Sequence, residues 1–424
     1  MKFHYIILLL AVFIIGCDSP ENIESDSTKT TTDSETVAVM KTGLMTPGLW
    51  IGKLRLSDTE VLPFNMEIVG DSVYFINADE RLGAAIQQDG EQLVIEMPIF
   101  DSEFRFSVNE TGIFGFWHNY ARAEGYKIDF TANPSEADNT ENRFSVSERE
   151  KFQFFSGNWE ATFSKGEGEF KALGILNQVN NAITGTFLTE TGDFRYLQGN
   201  CVGDSIYLSA FDGSHAFLFK AKQENDTLYG TFYSGSHYQA NWTAFRNSDF
   251  ELADPDTLTK MKVGAELEFS FPGLDGTMVE YPSMKYSEKV TIIQILGSWC
   301  PNCMDETAFL SDLHNSYREQ GLRVIGISFE NPTSLQGKID RVNELKKHFN
   351  ASYDFCIGGD ASKQTAASVL PALSDVLSFP TTIYIDKSGV VRKIHTGFNG
   401  PGTGAYYLKF AENTRSFVTK LLSE

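Results

Sequence analysis

The chain has 424 residues, a formal net charge of −21, and a composition that is 42% hydrophobic and 13% aromatic. That length allows two or three domains with real cores, and the acidic balance argues against nucleic acid or an anionic lipid surface as partner. Five cysteines are too few for a disulfide framework in a chain this long.

Residues 1–16 read as an export signal. Lys2 supplies the positive start, and Tyr5 to Ile15 is apolar but too short, at about 1.5 Å per residue, to span a bilayer. Ile14-Ile15-Gly16-Cys17 resembles a bacterial lipobox, which implies lipidation of Cys17 and membrane attachment through it. The following stretch to residue 45 is rich in Ser, Thr, Asp and Glu and reads as a disordered polar tether.

From residue 46 the character changes. Short runs of Phe, Tyr, Val and Ile alternate with Gly, Asn and Asp turns, which predicts an all-β antiparallel region. The region repeats itself. Gly48-Leu49-Trp50 is echoed by Gly157-Asn158-Trp159, and Gly70-Asp71-Ser72-Val73-Tyr74 by Gly203-Asp204-Ser205-Ile206-Tyr207. The reading is two related barrel- or sandwich-like units of about eight short strands each, 46–133 and 155–248, joined by a polar linker at 134–154. The Gly-x-Trp openings resemble those of lipocalin-like barrels, on three residues only. The aromatics read as core and cross-strand pairs rather than a ligand cage.

After a link around Asp254-Pro255-Asp256, a third domain is expected over 255–424. Val290 to Leu296 is an apolar, β-branched run broken only by Thr291 and Gln294, as in a buried central strand. Gly297-Ser298 ends it, and Phe309, Leu310, Leu313 and Tyr317 continue at helical spacing. Cys300 and Cys303 therefore fall in the first turn of a helix, where free backbone N–H groups and the helix dipole stabilise a thiolate. At i, i+3 the two sulfurs come close enough to bridge, and the pair can cycle between dithiol and redox-active disulfide. The other readings are a structural disulfide and half of a zinc site, and the zinc site lacks ligands: His314, His348, Cys201 and Cys356 have no usable spacing. No metal and no cofactor is expected. Cys201 and Cys356 read as small buried hydrophobes, and His395 as an ordinary satisfied histidine.

Trp299-Cys300-Pro301-Asn302-Cys303 after a strand resembles the thioredoxin active site. The rest of the C-terminal third agrees: a strand from Leu322 to Phe329, a helix from Lys338 to Phe349, Phe379-Pro380-Thr381-Thr382 leading a strand, a turn at Asp386-Lys387-Ser388-Gly389, a strand from Val390 to His395, and a terminal helix from Tyr406 to Leu422. The chain is similar here to the TlpA- and ResA-like thiol–disulfide oxidoreductases of bacterial envelopes. The stretch 358–378 is longer than that fold needs and is expected to add a helix.

The resemblance implies a catalytic set. Cys300 is the nucleophile, Cys303 resolves the mixed disulfide, Glu306 accepts its proton, and Pro380 follows a cis peptide against the dithiol. Trp299, Pro301, Phe379 and Thr381 are implied as substrate contacts. Helix geometry puts Glu306 one turn beyond Cys303, with Asp305 as a solvated neighbour. The implied protein is an exported, periplasm-facing lipoprotein that reduces protein disulfides with electrons from a membrane dithiol donor. Dithiol chemistry is expected to reside wholly within 255–424. Two rivals stand beside this. One is a thiol peroxidase of the redoxin group, which usually has threonine where this chain has Gly297. The other is a β lipoprotein that captures a ligand or partner, with an accessory redox domain.

Overall fold

A computed structural model of the chain describes residues 45–135, 143–144, 153–166 and 168–424. Residues 1–44, with the expected export signal and the expected lipidation site Cys17, lie outside the described residues.

The first β unit is a nine-stranded antiparallel sheet between Gly48 and Pro134. Its strands alternate: in Lys127–Pro134 the residues Ile128, Phe130 and Ala132 are buried and those between are exposed. The opening strand Gly48–Arg55 pairs with both Val61–Val69 and the last strand, Lys127–Pro134. The sheet thus curls like a barrel, but its two ends, Glu80–Ala85 and Gln87–Asp89, do not pair. It is a half-barrel with an open seam.

The second unit closes. Eight strands from Gly157–Lys165 to Tyr238–Arg246 run in sequence order around a barrel, with a two-residue strand, Gly192–Asp193, on its rim. The ring is shut where Gly157–Lys165 pairs with Tyr238–Arg246. Phe163, Phe187, Phe219, Phe232 and Trp242 fill its interior, with ring centroids 4.4–6.3 Å apart. The repeat seen in the sequence is structural: Trp50 Nε1 donates to the Thr46 carbonyl and Trp159 Nε1 to that of Phe155, each at 2.9 Å.

The half-barrel borrows its core. Phe211, Ala216 and Leu218 of the closed barrel pack into it. The Phe211 ring lies 4.9 Å from Phe64 and 5.2 Å from both Phe104 and Trp117. Arg143, buried between the units, donates to the carbonyls of Ser209 and Ile76.

The C-terminal domain is α/β and thioredoxin-like. Its sheet has five strands, in the order Asp354–Asp360, Leu322–Glu330, Val290–Leu296, Thr381–Ile385, Val391–Thr396. The first three are parallel; the last two run antiparallel to their neighbours. All seven residues of Val290–Leu296 are buried, as its apolar run implies. Helices α1 (Pro301–Tyr317), α2 (Leu335–His348), α3 (Lys363–Val369) and α4 (Ala405–Ser423) surround the sheet. α3 is the helix expected in the long stretch before Pro380. Among the described residues no helix is long and apolar enough to cross a membrane.

Candidate active site

The central strand delivers the chain to α1 through Gly297-Ser298-Trp299. Gly297 has no room for a side chain: an added Cβ would sit 2.3 Å from Trp299 Nε1. Ser298 is gripped by the buried Glu330, whose carboxylate accepts from its backbone N at 2.8 Å and its Oγ at 2.6 Å. Trp299 Nε1 donates to the Phe329 carbonyl at 2.9 Å, and its ring stands edge-on to Phe379 at 5.5 Å. Cys300 caps α1 in extended conformation and Pro301 takes the first helical position, where its missing N–H costs no hydrogen bond.

Both thiols are free, Cys300 half-buried and Cys303 fully buried. Cys300 Sγ donates to the Phe379 carbonyl at 3.4 Å, and the Phe379–Pro380 peptide is cis. Burial, then the hydrogen bond to Cys300, pushes the Cys303 thiol well above its ordinary pKa. Cys303 is therefore a poor nucleophile near neutral pH unless a base takes its proton.

Glu306 is 1% exposed. Its Oε1 accepts from Thr382 Oγ1 at 2.7 Å and its Oε2 from Gln294 Nε2 at 2.9 Å. Burial pushes its pKa up to about 7, with those two hydrogen bonds pulling the other way. Gln294, the polar break in the apolar strand, also donates to Thr307 Oγ1 at 3.2 Å. A buried carboxyl titrating near neutrality, one turn from a buried thiol, can take and return a proton.

Asp305 departs from expectation. It is no solvated neighbour: its side chain is 17% exposed and its Oδ2 lies 2.5 Å from Arg195 Nη1 of the barrel. Burial raises its pKa to about 7 despite that cation, with Asp193 and Glu80 adding to the rise. Thr381 also departs. It is fully buried and its hydroxyl donates to the Ser378 carbonyl at 2.8 Å, so its side chain has no surface for a substrate. Pro301 and Phe379 are buried too, and Trp299 is half-buried.

The barrel rim, which sequence reasoning missed, lies against this side of the site. Ser378 Oγ donates to the Thr191 carbonyl at 2.9 Å, and Ser214 Oγ to that of Trp299 at 3.3 Å. Asp193 Oδ2 accepts from the Gly400 backbone at 2.6 Å. At Gly192, φ is +148° and an added Cβ would lie 2.2 Å from Asn302 Nδ2, so glycine allows the close approach of rim and dithiol turn here. A groove of about 600 Å³ remains between the rim residues Glu169, Phe170, Lys171 and Thr189 to Phe194 and the site residues Asn302 and Phe379. None of these rim residues carries a motif. Gln294, a polar break inside an apolar strand, was a sequence signal for the buried hydrogen bonds around Glu306, not for the rim.

His395 is satisfied by Asp256, at 2.6 Å. Cys201 and Cys356 are buried, and burial raises both thiols, Cys201 to about 12. Among the described residues no cluster of three or more His, Cys, Asp or Glu side chains is arranged to hold a metal.

The AhpC/TSA family model matches residues 263–394. Residues 263–394 are a redoxin domain. The chain is 27% identical over 140 residues to the thiol-disulfide oxidoreductase ResA of Geobacillus thermodenitrificans, covering 33% of this chain and 72% of that protein. It is 27% identical over 144 residues to the thiol:disulfide interchange protein DsbE of Pseudomonas aeruginosa, covering 33% of this chain and 69% of that one. Among solved structures it is similar to a secreted thiol-disulfide isomerase from Corynebacterium glutamicum, at 18% identity and a TM-score of 0.31, over 41% of this chain and 98% of that one. The redoxin domain thus belongs with the thiol–disulfide oxidoreductases, and the likeness covers about a third of the chain.

Proposed function

We propose that the protein is a lipid-anchored, periplasm-facing thiol–disulfide oxidoreductase of the bacterial cell envelope that reduces protein disulfides through Cys300-Pro301-Asn302-Cys303. The observation that carries this reading is the pairing of a half-buried Cys300 at a helix start with a buried Cys303 and a buried Glu306 poised near pH 7. In the first step the Cys300 thiolate attacks one sulfur of a substrate disulfide, and the other sulfur leaves as a thiolate that takes a proton from solvent. In the second, Glu306 takes the Cys303 proton, directly or through one water. The Cys303 thiolate then attacks Cys300 Sγ, releasing the second substrate thiol and leaving a Cys300–Cys303 disulfide. A membrane dithiol donor returns two electrons and two protons.

Pro380 sets the backbone that faces the dithiol and presents it to an extended substrate. Trp299 and Phe379 form an aromatic edge beside Cys300. The peroxidase reading is disfavoured by Gly297, since a threonine there has no space beside Trp299. The ligand-capture reading is disfavoured by an aromatic-filled barrel interior.

Reduction of insulin by the protein in the presence of dithiothreitol tests the activity. Catalysis lost in Cys300→Ser supports the reading; insulin reduction at the uncatalysed rate contradicts it. Mass spectrometry of the mature N-terminus tests the anchor: an acylated Cys17 is expected, carrying more than one chain because one alone anchors marginally. An unmodified N-terminus downstream of Cys17 contradicts it.

A further inference from the structure

Arg195 belongs to the barrel, more than a hundred residues before the dithiol, yet it is built into the dithiol turn. Its side chain is 9% exposed. Nη1 donates to the Pro301 carbonyl at 3.2 Å and to Asp305 Oδ2 at 2.5 Å, Nη2 donates to Glu80 Oε1 at 2.5 Å, and Nε lies 3.5 Å from Asp212 Oδ2. One guanidinium so joins the half-barrel, the closed barrel and α1. Its backbone is held at φ +57°, an uncommon conformation for a residue with a side chain, and its N–H donates to Asp193 Oδ1 at 2.6 Å. Strain of this kind persists where the surroundings over-determine it. The charged and titratable groups around the guanidinium are Glu80, Asp193, Asp212 with its partner His215, Asp305 and Tyr196.

We infer that Arg195 is a positioning residue of the redox site, through which the barrel fixes the dithiol turn and sets how readily Cys300 and Cys303 stay reduced. A bare interdomain staple would hold the domains together without touching the Cys300–Cys303 turn. Here the guanidinium binds a carbonyl inside that turn and neutralises carboxylates beside the first turns of α1. Without the cation, those carboxylates oppose a thiolate at the helix start and so disfavour the dithiol. The inference rests on the proposed dithiol cycle.

The test is the equilibrium of the full chain with glutathione at pH 8. As the two thiols form one S–S bond they release two electrons and two protons, and glutathione disulfide takes them to become two thiols. Arg195→Met keeps length and packing and removes charge; the equilibrium is expected to move about tenfold toward the protein disulfide, about 30 mV for a two-electron couple. Arg195→Met/Asp305→Asn is expected to return part of that shift. Should Arg195→Met not fold, Asp305→Asn alone carries the test, with a shift toward the dithiol. A folded Arg195→Met with the parent's equilibrium, or an unshifted Asp305→Asn where only that variant folds, overturns the inference and leaves the oxidoreductase reading standing. A parent chain that forms no Cys300–Cys303 disulfide overturns both.

Discussion

Asp305 and Glu306 are adjacent, and the fold gives them different partners. Glu306 points into a pocket of neutral hydrogen-bond donors under the dithiol, and Asp305 meets the barrel's arginine. Glu306 is useful as a base only when ionised, so release of the mixed disulfide is expected to slow as pH falls below about 7. Glu306→Gln is expected to leave the attack by Cys300 intact and to slow the second step by about 10²–10⁴-fold, without that pH limb. Stopped-flow kinetics on a defined disulfide between pH 6 and 8 separates the steps; equal second-step rates in parent and variant would remove Glu306 from the mechanism. The same residue makes a stability prediction. Its folded pKa stands above its ordinary 4.5, so the stability linked to its proton is complete below about pH 4.5 and lost as pH rises through about 7. Glu306→Gln should therefore stabilise the protein by roughly 2–3 kcal/mol at pH 8 and hardly at all at pH 4.5. Thermal melts at the two pH values measure it, and an equal effect at both would show that the buried charge is not the cause.

At the scale of elements, local signals were legible and long-range ones were not. The dithiol at a strand–helix junction, the cis-proline segment, the extra helix α3 and the repeated Trp openings all follow from residues near one another in sequence. The open seam does not. Glu80–Ala85 and Gln87–Asp89 are separated by one residue, and nothing in either run says that they stay apart. The half-barrel is completed instead by Phe211, far along the chain, packed among Phe64, Phe75, Phe104 and Trp117. Phe211→Ala is expected to cost about 3–5 kcal/mol, as for other large-to-small changes in a full core. Urea denaturation followed by tryptophan fluorescence reads it out. A loss below about 1 kcal/mol would mean that the half-barrel closes on its own aromatics.

At the scale of the molecule, the proposed redox site draws on two parts of the chain. The sequence places every reacting group after residue 290, and from that alone the β region looks dispensable. The structure sets Thr191, Gly192, Arg195 and Ser214 against the turns that carry Cys300 and Pro380, and Asp193 against Gly400. Arg195 and Asp305 are 110 residues apart, and only the folded chain brings them together. A 255–424 fragment should retain thiol chemistry and show an altered equilibrium with glutathione, because it lacks that arginine. In the proposed cycle Cys300 attacks and Cys303 resolves. The most direct measurement is intact-mass analysis of Cys303→Ser after reaction with a disulfide-bonded protein substrate, followed by peptide mapping. A stable one-to-one mixed disulfide at Cys300 is expected, cleared by reductant and absent from Cys300→Ser. No adduct, or one mapped to Cys201 or Cys356, would contradict it.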